Sequence, residues 1–488
     1  MKKKFLTVLL VLLLQSVLAF SQTAQKIIPE MTFGWNLGNT FDAPTETGWG
    51  QPKTTESMIQ GLVDAGINSI RIPVSWSRHV DNKNVINASF MARVKEVVDW
   101  CVKRDMYIIL NSHHDNELKK LGKGYYPSSD YKEKSEAFLS SVWKQIATEF
   151  KDYNDKLIFE TLNEPRLVGT GCEWTYTPSC SKCKDAMNCL NDFNQLIVDT
   201  IRATGGNNSK RTIAVPSIAC SPDAALSKDF IVPNDSNIAV AVHMYTPYNF
   251  AMQSPGTRVF SDSARSNLKS YFIRLNDKFI SKGIPVYIGE MGATNKNNLE
   301  DREAWFSFFV SEAKKFNMCS FLWDNGNWEV YGTDYNEKYG FYCRKNAQWY
   351  FPSLIEAAIK AAGGSYKKIP SYKDENAFVF NEKKATELLK EPVSLNDKNW
   401  QKACVINKNL LETAKPGSKI RIEVESIPGA EYVALRFTGK NWYPVLKLNG
   451  NKHKLSVSTD ADNNINVKPE GNFMFYELTA EDLAAISN

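Results

Sequence analysis

Two glutamates stand in short motifs that can support chemistry on a single bond. Glu164 lies in Asn163-Glu164-Pro165, and Glu290 follows Gly289, each at the end of a predicted β-strand. A carboxylic acid can protonate a leaving oxygen, while an ionised carboxylate can attack the neighbouring carbon or activate a water molecule. The two residues are therefore candidates for paired acid/base and nucleophilic catalysis.

Hydrolysis of a glycosidic bond requires such a pair of carboxyl groups. The acid needs a raised pKa and the nucleophile must stay ionised, so the surroundings of the two groups should differ. Arg71, on another predicted strand, suits the role of a fixed positive partner for the ionised carboxylate. The amide of Asn163 is able to donate a hydrogen bond to a sugar hydroxyl.

Three of the five histidines also lie at predicted strand ends: His113 and His114 after one strand, and His243 at the end of another. The spacing of these histidines does not match a zinc motif. In a metal site they would also have to meet at one point from which the two glutamates are absent. We therefore expect no metal and no cofactor. The alternative, that they are ordinary core or surface histidines, fits their shared location poorly.

Other acidic residues near the same strand ends are interpreted as positioning residues. Glu160 shares strand parity with Glu164 but lies four residues deeper, so it should be a buried carboxylate paired with Arg71 or a histidine. Asp115 and Asp324 are more plausible as positioning groups than as catalytic groups.

The elements that must position these residues alternate between short apolar runs and longer amphipathic segments, which predicts a parallel sheet with crossover helices. The predicted strands are 33–37, 69–74, 107–111, 157–162, 212–216, 238–243, 285–289 and 319–323. The predicted helices are 54–65, 89–104, 134–150, 186–203, 222–226, 264–282, 299–316 and 352–362. Eight strands over this length predict a (β/α)8 TIM barrel at residues 22–364, with the catalytic groups at the C-terminal ends of the strands.

The character of the sequence changes after the barrel. Residues 365–393 are rich in lysine and glutamate with weak periodicity, which indicates a linker or a wrapping segment. Residues 394–488 contain alternating runs such as Ile420, Ile422 and Val424, which predict a small C-terminal all-β sandwich domain. Trp400, Trp442 and Tyr443 there are candidates either for a carbohydrate-binding platform or for packing in the core or against the barrel.

The first 21 residues have the pattern of a signal peptide: three lysines, an apolar run, and small residues at Ala19 and Ser21. Removal of those lysines lowers the formal net charge from +5 to +2. A nearly neutral chain without a basic run favours a neutral substrate and argues against nucleic acid as a partner. We expect a secreted or periplasmic protein, either free or associated with the cell surface, without a membrane span.

Four of the nine cysteines crowd into residues 169–189: Cys172, Cys180, Cys183 and Cys189. A four-thiolate metal site is conceivable from the Cys180-x-x-Cys183 spacing, but the other spacings fit it poorly. Because export leads to an oxidising compartment, we expect two disulfide bonds that brace this loop.

Taken in barrel order, the strand-end motifs resemble glycoside hydrolase family 5, and within it the endoglucanase and xyloglucanase branch, subfamily 4. The resemblance covers residues 31–362. The matching stretches are GWNLGNT at 34–40, WGQPKTT at 49–55, RIP at 71–73, NSHH at 111–114, LIFETLNEP at 157–165, HMYTPYNF at 243–250, IGE at 288–290 and WDNG at 323–326.

The resemblance implies a retaining double displacement, with Glu164 as acid/base and Glu290 as nucleophile. It also implies a set of substrate-binding residues around them: Arg71, His113, Asn163, His243, Tyr245 and Trp323, with His114 at a neighbouring subsite. Trp35, Trp49 and Tyr248 are candidates for stacking on glucosyl units, as are Trp76 and Trp328. The loop at 166–189 departs from the family pattern in its cysteines, and because it follows the acid/base strand it is expected to shape the leaving-group side of the cleft.

The function expected from these residues is a secreted, monomeric, retaining endo-β-1,4-glucanase that acts on cellulose-type, xyloglucan or mixed-linkage β-glucans. A β-mannanase on the same scaffold is the alternative enzyme. A glycan-binding protein without activity is the alternative outside catalysis, although it would usually lack one of the two glutamates.

Overall fold

A computed structural model describes residues 24–330 and 334–373, together with short stretches between 413 and 477. Eight parallel strands form a closed barrel in sequence order. They are β1 (Phe33–Asn36), β2 (Ser69–Ile72), β3 (Tyr107–Asn111), β4 (Leu157–Glu160), β5 (Ile213–Pro216), β6 (Ile238–His243), β7 (Val286–Met291) and β8 (Ser320–Leu322). The predicted (β/α)8 barrel is confirmed.

Helices cover the outside of the barrel and follow the predicted crossovers closely. The long helices are Glu56–Asp64, Ala88–Val102, Lys132–Glu149, Ser181–Ala203, Asp262–Lys278, Leu299–Lys315 and Pro352–Ala361. Short helices occur at Ala24–Glu30, Leu118–Leu121, Pro222–Leu226 and Tyr248–Ala251. Thr55 and Asn87 accept hydrogen bonds from the first turns of their helices, which explains why these two helices begin where they do.

The strands are buried on both faces because alternate residues point to different layers. On β4, Leu157 and Phe159 pack in the shell between strands and helices, whereas Ile158 packs inside the barrel. The small side chains of Ala214, Ala239 and Ala241 inside the barrel leave room there for large ones such as Tyr287 and Phe321. Arg71 and Glu160 stand at inward positions of the same alternation, so two charged residues enter a closed interior.

Residues 24–329 and 336–372 belong to one compact unit, and residues 330, 334 and 335 together with the described residues from 373 onward belong to another. In the second unit, Lys419–Glu423 pairs antiparallel with Phe473–Glu477, and Phe437–Thr438 pairs antiparallel with Pro444–Leu446. Ser458–Thr459 pairs antiparallel with Ile465–Asn466. These pairs agree with the expected all-β character, while the sandwich arrangement remains a prediction, since most of 394–488 lies outside the described residues.

The predicted signal peptide at 1–21 and most of the predicted linker at 365–393 also lie outside the described residues. Within the part that the structure describes, no helix combines the length and the apolar character needed to cross a membrane.

Candidate active site

Arg71, fully buried on β2, organises the carboxyl ends of the strands. Its Nη2 and Nε donate to the two carboxylate oxygens of Glu160 at 2.6 and 3.0 Å, a bidentate pair. Tyr287 Oη and Asn111 Nδ2 also donate to Glu160. Burial alone would raise the pKa of Glu160, but the charge and hydrogen bonds of Arg71 outweigh it and lower the pKa. The expectation that Glu160 pairs with Arg71 is confirmed.

The remaining donors of Arg71 point toward the mouth of the barrel. Nη1 donates to Glu290 Oε1 at 2.8 Å and to Asn36 Oδ1 at 2.9 Å. Nη2 also donates to Asn163 Oδ1 at 2.6 Å. The buried guanidinium of Arg71 therefore holds Glu290 and Asn163 in fixed positions relative to Glu160, which lies deeper in the barrel. It is also the positive partner that the sequence predicted for the ionised nucleophile.

Glu164 and Glu290 lie side by side at the rim, as their places after β4 and on β7 require. His243 Nδ1 lies 2.8 Å from Glu164 Oε1 and 3.6 Å from Glu290 Oε2. One carboxylate oxygen of each glutamate and a ring nitrogen of His243 all lie within 4.8 Å of one another. Tyr245 Oη donates to Glu290 Oε2 at 3.0 Å.

Local strand geometry explains this convergence. The register between β6 and β7 shifts after Val242, so that His243 stands opposite Glu290. Gly289 lies beside the imidazole, and a Cβ at this position would approach His243 Nε2 to 3.1 Å. A larger residue before Glu290 would therefore crowd the histidine that touches both carboxylates.

The two carboxyl groups have different pKa values, but in the unliganded protein the order is the reverse of the one expected for the assigned roles. Burial would raise the pKa of Glu164, yet the hydrogen bond and charge of His243, followed by the charge of Arg166, lower it overall. Burial raises the pKa of Glu290, and the negative charge of Glu164 adds to it, despite the opposing effect of His243 and Arg71.

His243 itself is held in its charged form. Burial lowers the pKa of His243, but the charges of Cys220, when ionised, and of Glu290 and the hydrogen bond to Glu164 raise it well above its ordinary value. The unliganded site therefore favours the charged form of His243, whose Nδ1 lies within hydrogen-bond distance of Glu164.

The other predicted polar residues surround this centre. His113 is buried, its Nδ1 lies 3.2 Å from Asn111 Nδ2, and its ring is parallel to that of Trp323 at 5.8 Å. His114 packs edge-on against His113 and against Trp49. Burial, followed by the charge of Arg166, lowers the pKa of His114 to about 4, so the ring is neutral near pH 7.

The predicted aromatic platforms divide into two groups. Trp49 is 42% exposed and Tyr248 is 61% exposed, so both can meet a ligand. Trp35 is only 1% exposed, and its Nε1 donates to the buried Asp324 at 2.9 Å. The stacking role suggested for Trp35 is therefore wrong, because its ring fills the core and its polar edge is already bonded. Trp76 is also in the core, where it donates to the Asn111 carbonyl.

Three residues near Glu164 were not identified from the sequence. Arg166 Nη1 donates to the Glu164 carbonyl at 3.0 Å and lies 3.5 Å from Glu164 Oε2. Glu173 accepts from Arg166 Nε at 3.2 Å, and the ring of Trp174, 58% exposed, lies 4.2 Å from the guanidinium. They lie in the loop whose cysteines depart from the family pattern, and the only usable signal in the sequence was that Arg166 directly follows the Asn-Glu-Pro motif.

A third carboxyl group, that of Glu337, is near enough to the pair for their charges to affect its pKa. Glu337 Oε2 accepts a hydrogen bond from Asn325 Nδ2 at 3.4 Å. Burial raises the pKa of Glu337, and the charges of Glu290 and Glu164 raise it further. Its distance in sequence from any strand-end motif explains why it was missed.

The loop cysteines do not form the expected disulfides. All eight cysteines that the structure describes are free, and Cys172 Sγ lies 3.8 Å from Cys180 Sγ, well beyond a covalent bond. Cys172, Cys180 and Cys183 come together, whereas Cys189 is buried farther along the Ser181–Ala203 helix. The prediction of two disulfides among these four residues is therefore not supported.

Comparison with known proteins places this geometry in a family. The curated relative cellulase/esterase CelE of Acetivibrio thermocellus is 41% identical over 351 residues, which cover 70% of this chain and 41% of CelE. The chain thus matches less than half the length of that relative.

Among solved structures, a lichenase from a Caldicellulosiruptor species has 41% identity and a TM-score of 0.66, and the match covers 70% of this chain and 96% of the lichenase. A GH5-4 broad-specificity endoglucanase from Clostridium acetobutylicum has 41% identity and a TM-score of 0.65, covering 70% and 100% of the two chains. The resemblance to subfamily 4 is confirmed by this neighbour. The family profile described as cellulase (glycosyl hydrolase family 5) matches residues 30–329. With more than half of its residues under that profile, the chain belongs to glycosyl hydrolase family 5.

Proposed function

We propose that this protein is a secreted, retaining endo-β-1,4-glucanase that hydrolyses cellulose-type, xyloglucan or mixed-linkage β-glucans. The observation that supports a retaining mechanism is the short distance between the two carboxylates. One carboxylate oxygen of Glu164 lies within 4.8 Å of one carboxylate oxygen of Glu290. Retaining enzymes place their carboxyl groups about 5–5.5 Å apart, whereas inverting enzymes leave about 6.5–9.5 Å for a water molecule. The spacing here supports direct attack by one carboxylate.

In the first step, the Glu290 carboxylate attacks the anomeric carbon and forms a glycosyl ester. The bond to the leaving oxygen breaks as Glu164 donates its proton to that oxygen. Arg71 and Tyr245 hold Glu290 in place through hydrogen bonds of 2.8 and 3.0 Å. His243 Nδ1 lies 2.8 Å from Glu164 Oε1, and the charged form of His243 can return a proton to Glu164 when a substrate displaces solvent.

In the second step, Glu164 acts as a base. The negative charge of Glu290 disappears when the ester forms, so the pKa of Glu164 falls further. Glu164 therefore stays ionised after it has given up its proton, and only the ionised carboxylate can accept a proton from water. Glu164 takes a proton from water, the water oxygen bonds to the anomeric carbon, and the ester bond to Glu290 breaks. Both carboxyl groups then return to their starting states.

Substrate range is proposed from two sources. The solved neighbours are described as a lichenase and as a broad-specificity endoglucanase, which supports β-glucans with more than one linkage pattern. Trp49 and Tyr248 are exposed aromatic rings suited to the apolar faces of glucosyl units. A β-mannanase remains the alternative, and release of reducing sugar from glucan, xyloglucan and mannan panels distinguishes the two.

The stereochemical test is the most direct. Proton NMR of the first-formed product should show the β-anomer before mutarotation. Glu290→Ala should lower turnover by at least about 10⁴-fold, because the covalent intermediate cannot form. Glu164→Ala should retain the most activity on substrates with good leaving groups, which need little protonation. A first-formed α-anomer, or full activity of Glu290→Ala, would contradict the proposal.

Export and oligomeric state are tested separately. N-terminal sequencing of the protein from the culture medium or periplasm should begin near Gln22, and light scattering should give the mass of one chain. An uncleaved protein retained in the cytoplasm would contradict secretion without affecting the catalytic assignment.

A further inference from the structure

Three cysteines meet in the loop that follows β4, outside the catalytic centre. The sulfur atoms of Cys172, Cys180 and Cys183 all lie within 4.8 Å of one another. Cys172 Sγ and Cys180 Sγ are 3.8 Å apart, and Cys183 Sγ lies 3.8 Å from the Thr175 carbonyl oxygen. Three sulfur atoms that meet in one loop are enough to surround a metal ion, whereas two would indicate only a disulfide.

The distance between Cys172 Sγ and Cys180 Sγ is that of two ligands on one ion, and Cys183 Sγ lies within 4.8 Å of both. Zinc binds thiolate sulfur at about 2.3 Å in a tetrahedron, which separates two sulfur ligands by about 3.8 Å. Cys180-x-x-Cys183 has the two-residue spacing common in zinc sites, and the fold adds Cys172 as a third ligand. We propose that Cys172, Cys180 and Cys183 bind one thiophilic divalent cation, Zn²⁺, with the fourth position open to water or to the Thr175 carbonyl oxygen.

The surroundings suit the charge of such a site. Each thiol releases its proton to solvent when it coordinates, so three thiolates and one Zn²⁺ carry one net negative charge. Cys180 is the N-cap residue of the Ser181–Ala203 helix, whose N-terminus carries a partial positive charge. Lys182 and Lys184 on the first turn are exposed and add positive charge nearby.

A disulfide accounts for the cluster less well. A bond between any two of the three sulfurs leaves the third thiol without a covalent partner, and Cys189 is not a member of the cluster. Coordination uses all three and also protects the thiolates from oxidation in an exported protein.

The site is connected to the catalytic acid/base by a short path. Cys172 is followed directly by Glu173, which accepts from Arg166, and by Trp174, which covers the Arg166 guanidinium. Arg166 in turn lies 3.5 Å from Glu164 Oε2. A bound ion would fix the segment that holds Arg166 beside Glu164, so its loss should loosen this arrangement.

The first test measures metal content without any substrate, so its outcome does not depend on the proposed function. The full-length chain, purified without a metal-affinity tag, should contain about one zinc per chain by plasma mass spectrometry. Cys172→Ser, Cys180→Ser and Cys183→Ser should each lose it. The matched control Cys189→Ser, on the same helix, should keep it.

The second test identifies the ligand atoms. After zinc is removed under reducing, oxygen-free conditions, added Co²⁺ should produce thiolate-to-metal charge-transfer absorption, which the Cys180→Ser variant should weaken strongly. Absence of metal from the purified protein combined with a disulfide among the three cysteines would overturn the proposal. Zinc that persists in all three serine variants would overturn it as well.

Discussion

The rim of the barrel and the loop after β4 hold their functional side chains by different physical means. At the rim, Arg71 and Glu160 are fully buried, and strand pairing fixes the backbone on both sides of each residue. In the loop, Arg166 is held by contacts with two other loop side chains, Glu173 and Trp174, and Trp174 is largely exposed. Changes at the rim should therefore impair both stability and turnover, whereas changes in the loop should adjust turnover and leave the fold intact.

Among the variants that test this contrast, Arg71→Met should have the largest effect, because it lowers both stability and turnover. This change leaves Glu160 as an uncompensated buried carboxylate and should lower the free energy of unfolding by about 3–5 kcal/mol. It also removes the donor that holds Glu290, so kcat should fall by at least about 100-fold. Chemical denaturation and steady-state kinetics measure the two effects.

A double variant separates these two contributions. Arg71→Met combined with Glu160→Gln removes the buried charge and should recover part of the stability, but none of the activity. Recovery of activity in the double variant would show that Arg71 acts only by supporting the fold. It would contradict the expectation that Arg71 contributes separately to stability and to turnover.

His243→Asn should have the next largest effect. The positive charge of His243 lowers the pKa of Glu290, which must be ionised to attack. Without that charge the pKa of Glu290 rises. As the solution is acidified, Glu290 is then protonated, and activity is lost, at a higher pH than in the unchanged protein. The acidic limb of the kcat/KM profile should therefore move to higher pH, and kcat should fall by about 10²-fold or more. An unchanged acidic limb would contradict the assigned coupling.

Arg166→Gln tests the loop side of the comparison. Arg166 lowers the pKa of Glu164, so its removal should raise that pKa and keep the acid protonated to higher pH. The alkaline limb of the profile should move upward, with a change in kcat/KM of about five-fold or less, as befits a partly exposed pair. Arg166→Lys keeps the positive charge and should leave the alkaline limb of the pH profile where it is. A shift of equal size in the lysine variant would show that the shape of the arginine side chain, rather than its charge, is what matters.

Trp174→Ala should have the smallest effect. If the exposed ring contacts sugar beside the acid/base, KM for long oligosaccharides should rise about two- to ten-fold while the melting temperature stays unchanged. Ile273→Ala, at an exposed position on the outer face of the Asp262–Lys278 helix, is the matched control and should leave both values unchanged. An unchanged KM in Trp174→Ala would remove Trp174 from the substrate path.

The barrel and its rim were predictable because their signals are local in sequence. Every predicted strand overlaps an observed one, since a parallel strand buried on both faces reads as a short apolar run. The ends were less accurate: β4 stops at Glu160 rather than at 162, because the chain bends at the rim before the Asn-Glu-Pro turn. The pairing of Glu160 with Arg71 followed from strand parity, which fixes which side chains share the interior.

The sequence by itself determined the barrel, the two glutamates and the buried arginine that serves them. Only the tertiary structure decided three other matters. Trp35 and Trp49 have the same side chain, but one fills the core and the other reaches solvent. His243 lies against both catalytic carboxylates, because the shift between β6 and β7 brings its ring opposite Glu290. Three of the loop cysteines converge while Cys189 turns away along its helix. Each of these depends on contacts between segments that are distant in the chain. Residue type does not decide them, because the free energy of placing a polar or aromatic side chain depends on how deeply it is buried and which groups it contacts.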